Sequence, residues 1–209
     1  YPEGRRTRLI TDDELVRIFG DMDRADGEGL EHPVITLAVR LQFTFAARMS
    51  EIINLEWAWI DFAKRRVCWP DSKTGEISKP LSEDALSLLN SAETRGLSDY
   101  VIPSPFDPRK PMPPYTYAKG WARILKNADV PHLGTHGIRH RATTDIANSG
   151  VPIKVGMQLT AHKTVTQFMR YVHTEDDPVR AAAELVSTRR ASMLGARGIL
   201  MQVEAPASD

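Results

Sequence analysis

"RRVCWPDSKTGEISKPL", residues 65–81, reads as a β-hairpin: a short strand around 65–69, a turn at Lys73-Thr74-Gly75, and a return strand around 76–80. A glycine after a polar residue supplies the positive φ that a tight turn needs. Outward from this hairpin the pattern is helical. Upstream, Thr11-x-x-Glu14 is a capping box opening a short helix over "TDDELVRIF". "HPVITLAVRLQFTFAA" (32–47) is apolar nearly all round and predicts a buried central helix. Ser50 and Glu51 then start a second helix, "SEIINLEW", whose Ile52, Ile53 and Leu55 can face the core. Downstream, Ser82 caps a helix through about Arg95, and "IPSPFDPRKPMPP" (102–114) is a proline-rich connector. Helices follow at 115–127, 136–149, 152–159 and 164–171, with a last amphipathic one over 177–198. The expected class is mainly α with a small antiparallel β-hairpin or sheet, α+β.

Bulk properties set limits. A chain of 209 residues can bury a sizeable core, as one domain or as one large and one small. Its single cysteine, Cys68, excludes an internal disulfide and any multi-cysteine metal site. No apolar run approaches the roughly 20 residues that span a bilayer, and no hydrophobic segment follows the basic residues near the start. A soluble, cytoplasmic protein with no membrane partner is expected. The net charge of zero conceals an asymmetry: residues 11–31 carry eight acidic side chains against Arg17 and Arg24, whereas 109–173 carry ten Lys or Arg against Asp129 and Asp145. The second stretch suits a polyanion, although a fold can mix such charge again.

The chemistry-bearing residues narrow the classes. His132, His136 and His140 recur at i, i+4, i+8, but Pro131, Gly134 and Gly137 interrupt any helix before His136, and no carboxylate completes a ligand set. No G-x-S-x-G elbow or Walker glycine loop occurs, and Cys68 sits inside an expected strand. Anion binding fits better. His136 and Arg139 share a face of a first helical turn, where free amides favour phosphate and a guanidinium adds a planar fork. Arg48 follows "FAA" at a helix junction, where it meets an anion, pairs with Glu51 or caps the carbonyls of the preceding helix. Taken singly, Lys73 reads as a solvated turn residue and Tyr171 as a packing residue.

In combination these residues resemble the tyrosine recombinase (phage integrase) family. Arg48 in "ARMSEIINLEWAWID", Lys73 in a hairpin turn, His136-x-x-Arg139-His140, and His162 followed nine residues later by Tyr171 match its catalytic domain in order and spacing, over residues 10 to 180. The resemblance implies the tyrosine recombinase catalytic-core fold and DNA cutting by a tyrosine hydroxyl, without metal or cofactor. Tyr171 would be the nucleophile, and Arg48 and Arg139 would clamp the non-bridging oxygens. Lys73 would protonate the leaving 5′-oxygen, His136 would assist proton transfer at the tyrosine, and His162 would hydrogen-bond the phosphate. His140 and Glu51 would support these groups from behind. Lys119, Arg123, Arg141 and Lys163 would contact DNA.

The resemblance also implies double-stranded DNA with specific recombination sites as partner. A homotetramer on DNA is expected, with a monomer or weak oligomer when free. Residues 1–10 are expected to be a linker from an N-terminal core-binding domain, 11–176 the catalytic domain, 177–203 a C-terminal helix exchanged between protomers, and 204–209 a tail. Where many family members carry glycine ahead of the first arginine and before the third-box histidine, this chain has Ala46 or Ala47, and Ala161; small residues there are expected to have little effect. The other classes are a type IB-like topoisomerase and a non-catalytic DNA-binding relative.

Overall fold

The computed structural model describes residues 8–70, 75–172 and 183–194. The chain divides into two units, residues 1–172 and 173–209. Among the described residues, the first holds eight α-helices and a small sheet: α1 (Asp12–Glu28), α2 (Pro33–Thr44), α3 (Met49–Ile53), α4 (Glu83–Asn90), α5 (Pro114–Asn127), α6 (His136–Asn148), α7 (Ile153–Thr160) and α8 (Val165–Met169). Of the second, residues 183–194 are helical. They carry Ala183 and Val186 of the expected amphipathic helix, while Val179 and Ala182 lie outside the described residues.

Helix α1 starts where its capping box predicts. The Glu14 amide donates to Thr11 Oγ1 at 3.3 Å, and the Thr11 amide donates to Glu14 Oε2 at 3.0 Å. It runs well past the expected "TDDELVRIF", because Ile18, Met22 and Ala25 continue an i, i+4, i+7 buried stripe through the glycine at 20. Gly29, at φ 66°, ends it in the left-handed conformation that glycine adopts without strain.

Helix α2 is the hub, packing against α3, α4, α5 and α6. Proline at its first position is pre-set for helical φ, and Val34, Ile35, Ala38, Val39 and Leu41 are buried. The helix stops at Thr44 instead of running to 47, because Ala46 turns the chain at φ 44°. Helix α3 then begins at Met49 and is only five residues long; a 3₁₀ turn over Trp57–Trp59 carries the chain into the sheet.

The hairpin forms as two antiparallel strands, β2 (Arg66–Trp69) and β3 (Ile77–Pro80), with a short third strand, β1 (Ile60–Asp61), on the other side of β2. In register, Val67 faces Lys79 and Trp69 faces Ile77. The indole of Trp69 donates to the Glu51 carbonyl at 2.8 Å, which pins the sheet to α3. The turn containing Lys73 lies outside the described residues. Helix α4 ends at Asn90, short of the expected Arg95; the chain then turns through Gly96 at φ 81°.

Candidate active site

Three successive carbonyls at the end of α2 organise the site. The left-handed turn at Ala46 deprives them of the i+4 amides that a continuing helix would supply. Each accepts instead from a side chain: Phe45 O from Lys79 Nζ at 2.6 Å, Ala46 O from Arg139 Nη1 at 2.7 Å, and Ala47 O from Gln42 Nε2 at 3.2 Å. Cations also suit the negative end of a helix dipole. Gln42 further donates to Thr135 O at 3.1 Å and accepts from Tyr117 Oη at 2.5 Å, tying the start of α6 and the core of α5 to the same corner.

Arg139 is 2% exposed and spans two elements, since Nη2 donates to Thr160 O at 2.8 Å at the end of α7. Arg48 stands at the start of α3, part-exposed, with Nη1 on Glu51 Oε1 at 2.6 Å. Glu51 also accepts from the Arg48 amide at 2.8 Å and lies 3.9 Å from Arg139 Nη1. One buried carboxylate therefore stands between two arginines. The Arg48–Glu51 pairing that the sequence left open is formed, and it holds the arginine at the site mouth.

His162 follows α7, and its Nδ1 lies 2.7 Å from Thr160 Oγ1, leaving Nε2 for an incoming oxygen. The ring of Tyr171, just past α8, packs between two histidines, with centroids 5.3 Å from His162 and 5.1 Å from His140. Phe168, buried and 5.9 Å from the His162 ring, anchors α8 beneath them. His136 is at the exposed start of α6. Two first-turn amides of α6 already bond to Gly134 O (2.8 Å) and Thr135 O (3.3 Å), so side chains more than helix amides offer donors here.

The electrostatics agree with an anion site. Burial first, and Arg139 and Arg48 next, hold His136 below its ordinary pKa. The same causes in the same order, with Lys79 added, bring His162 down to about 4. Burial and then Arg48 lower Arg139, while Glu51 and Tyr171 act the other way. Burial, then Arg139, lowers Lys79 to about 7. Each cation raises the cost of its neighbours' charge, and a bound phosphate would relieve all of them.

The structure therefore brings together Arg48, His136, Arg139, His162 and Tyr171, with Glu51 and His140 behind them, and Lys73 lies outside the described residues. The predicted DNA contacts divide. Lys163 Nζ approaches Gly75 and shares with Arg66, Lys154 and His162 a groove of about 790 Å³. Lys119 lies over the exposed Tyr115 ring at 4.5 Å, and Arg123 makes a two-pronged pair with Glu31 at 2.8 Å. Arg141 points inward instead: it is 9% exposed and donates to Ile10 O (2.6 Å), Asp12 (2.5 Å) and Asp145 (2.8 Å), so it clamps the chain before α1 to α6. Lys79, like Gln42, Tyr117 and Thr160, holds this corner and was not singled out from sequence. For Lys79, strand alternation carried the signal, since Ile77, Lys79 and Leu81 share one face.

The model of the phage integrase family matches residues 8–177. The chain belongs to the phage integrase family. The integrase of Salmonella phage P22 is 25% identical over 192 residues, covering 82% of this chain and 45% of that protein. The chain spans less than half the length of such curated relatives. XerA recombinase superposes with a TM-score of 0.66 at 20% identity, over 90% of this chain and 66% of that one. The Tn1549 transposon integrase, in a complex with transposon right end DNA, gives 0.70 at 17% identity, over 88% and 67%. A mostly helical domain with a small three-stranded antiparallel sheet is thus the fold of phage integrase catalytic domains.

Proposed function

We propose that this member of the phage integrase family is the catalytic part of a site-specific DNA recombinase. The observation that carries the reading is the meeting of Tyr171 with His162 and Arg139 from three separate elements, in a site with more buried cation than carboxylate. The Tyr171 hydroxyl attacks the scissile phosphorus and gives up its proton with assistance from His136. A 3′-phosphotyrosyl bond forms as the bond from phosphorus to the 5′-oxygen breaks, and Lys73 supplies the proton that this oxygen takes. Arg48, Arg139 and His162 hold the non-bridging oxygens as charge builds on the pentacoordinate phosphorus. Attack by another strand's 5′-hydroxyl reverses the steps and exchanges strands. The DNA would be a duplex recombination site, bound with strong salt dependence, and four protomers would assemble on it.

The test is a nicked suicide duplex that loses its 5′-hydroxyl fragment on cleavage. Wild-type protein should form a covalent adduct that peptide mapping places on Tyr171, and Tyr171→Phe should bind the duplex and form none. An adduct at another residue sinks the mechanism, and supercoil relaxation without strand exchange would favour a topoisomerase.

A further inference from the structure

We propose that Lys79 is a positioning residue of the strand-cleavage site, its ammonium fixing the α2–α3 corner that presents Arg48 and orients Arg139. The inference rests on the recombinase reading above. Lys79 is a second lysine of the hairpin, distinct from Lys73. It belongs to the described strand β3, on the face that turns into the core.

A lysine is costly there. The side chain is 2% exposed and shares its strand face with Ile77 and Leu81, so an aliphatic residue would satisfy packing alone. Its Nζ is instead committed: it donates to Phe45 O at 2.6 Å and lies 5.8 Å from the centroid of the Trp69 ring. Phe45 O is adjacent in sequence to Ala46 O, which holds Arg139. Two cations from different elements thus grip neighbouring carbonyls of one turn, three and two residues before Arg48. Moving either grip moves the turn.

Charged groups face Lys79 from each element around the site. These are Arg48 and Glu51 at α3, Arg139 from α6, and His162 after α7. Glu51 favours the ammonium, and the two arginines oppose it. With its pKa brought to about 7, Lys79 in the free protein is partly neutral at neutral pH, and the charge of a bound phosphate restores its proton. Lys79 is not placed to protonate the leaving oxygen, because it is buried and engaged with backbone.

The experiment compares wild type, Lys79→Met and Lys73→Ala on two nicked suicide duplexes, one with the natural phosphodiester and one with a 5′-bridging sulfur. The sulfur leaves without needing a proton. Lys79→Met should slow adduct formation roughly 10- to 100-fold on both duplexes, as misplacement of a clamp does. Because free Lys79 takes up a proton when phosphate binds, wild-type duplex affinity should change with pH around 7, and Lys79→Met should flatten that change. Lys73→Ala should be rescued by sulfur. Rescue of Lys79→Met by sulfur would make Lys79 the proton donor and overturn the proposal, as would an unchanged rate and pH profile. If Lys79→Met does not fold, the lysine side-chain NMR signals of the intact wild type decide. Lys79 should titrate near pH 7 and move up on addition of vanadate, and an ordinary, unresponsive titration overturns the proposal. Absence of a wild-type Tyr171 adduct would instead defeat the recombinase reading itself.

Discussion

Arg139 donates from Nη1 to the carbonyl of Ala46 across 2.7 Å, and Ala46 sits at φ 44°, in a conformation that side chains disfavour. At the other end of the same guanidinium, Thr160 O accepts at 2.8 Å, and the next residue, Ala161, has φ 56°. The expectation that alanine would have little effect at these two places is therefore corrected: both are left-handed turns, not helical positions. Left-handed backbone costs a non-glycine residue about 1–2 kcal/mol, of which glycine's larger unfolded-state entropy takes back roughly half. Ala46→Gly and Ala161→Gly should each stabilise the protein by about 0.5–1 kcal/mol in urea unfolding. Valine at either place should do the reverse.

Removing the guanidinium should be expensive. Arg139→Met leaves Ala46 O and Thr160 O without their donor and Glu51 with less positive charge nearby, a loss of roughly 2–5 kcal/mol. Arg139→Lys keeps the charge but cannot bridge two carbonyls, so its unfolding midpoint should fall between wild type and Arg139→Met.

The buried relay behind the corner gives an ordering test. Tyr117→Phe removes the donor to Gln42 Oε1 and should cost about 1–3 kcal/mol. Gln42→Leu strips partners from Ala47 O, Thr135 O and the Tyr117 hydroxyl together, and should cost more. Equal losses in denaturant unfolding would mean the relay is not acting as drawn.

Gly156 bears on the nucleophile. A methyl group there would sit 2.5 Å from Phe168 Cζ, and Phe168 anchors α8 three residues before Tyr171. Gly156→Ala should slow adduct formation on the suicide duplex more than it weakens duplex binding. An unchanged rate would show that α8 gives way without moving Tyr171.

Acid should loosen the fold through His162. Its folded pKa, about 4, is depressed from an ordinary 6.5, so the unfolded chain takes up the proton first as pH falls. The contribution of His162 is intact above pH 6.5 and is lost progressively between 6.5 and about 4. Lys79 follows the same sign higher up, with stability rising from about pH 7 toward 10.5 as the folded protein sheds a proton that the unfolded chain keeps. His162→Asn should flatten the acid limb of stability against pH and leave the alkaline limb alone.

Much of this was readable from residue patterns, for physical reasons. The Thr11–Glu14 box is local, so its reciprocal bonds form as expected. The spacings around Arg48, His136, Arg139, His162 and Tyr171 survive because each residue lies at or near an element end, where spacing sets direction. What escaped was set by tertiary contact. Arg141 is as cationic as Arg139 on paper, but only the fold brings Ile10 O, Asp12 and Asp145 around it. The left-handed turns at Ala46 and Ala161 escaped because alanine gives no sign of positive φ. Lys79 was visible in the strand's alternation and was hidden by its charge, which argues for the surface.

The anchors of Lys79, Arg139 and Gln42 are main-chain oxygens, and every amino acid supplies one. The residues bearing these oxygens can change identity without loss of the bond, provided the backbone keeps its path. Drift is then restrained at the donor side chains and at conformation, and relaxed elsewhere. Anchoring of this kind tolerates wide divergence in sequence under one fold, and the solved structures that share the fold with this chain are only 17–20% identical to it.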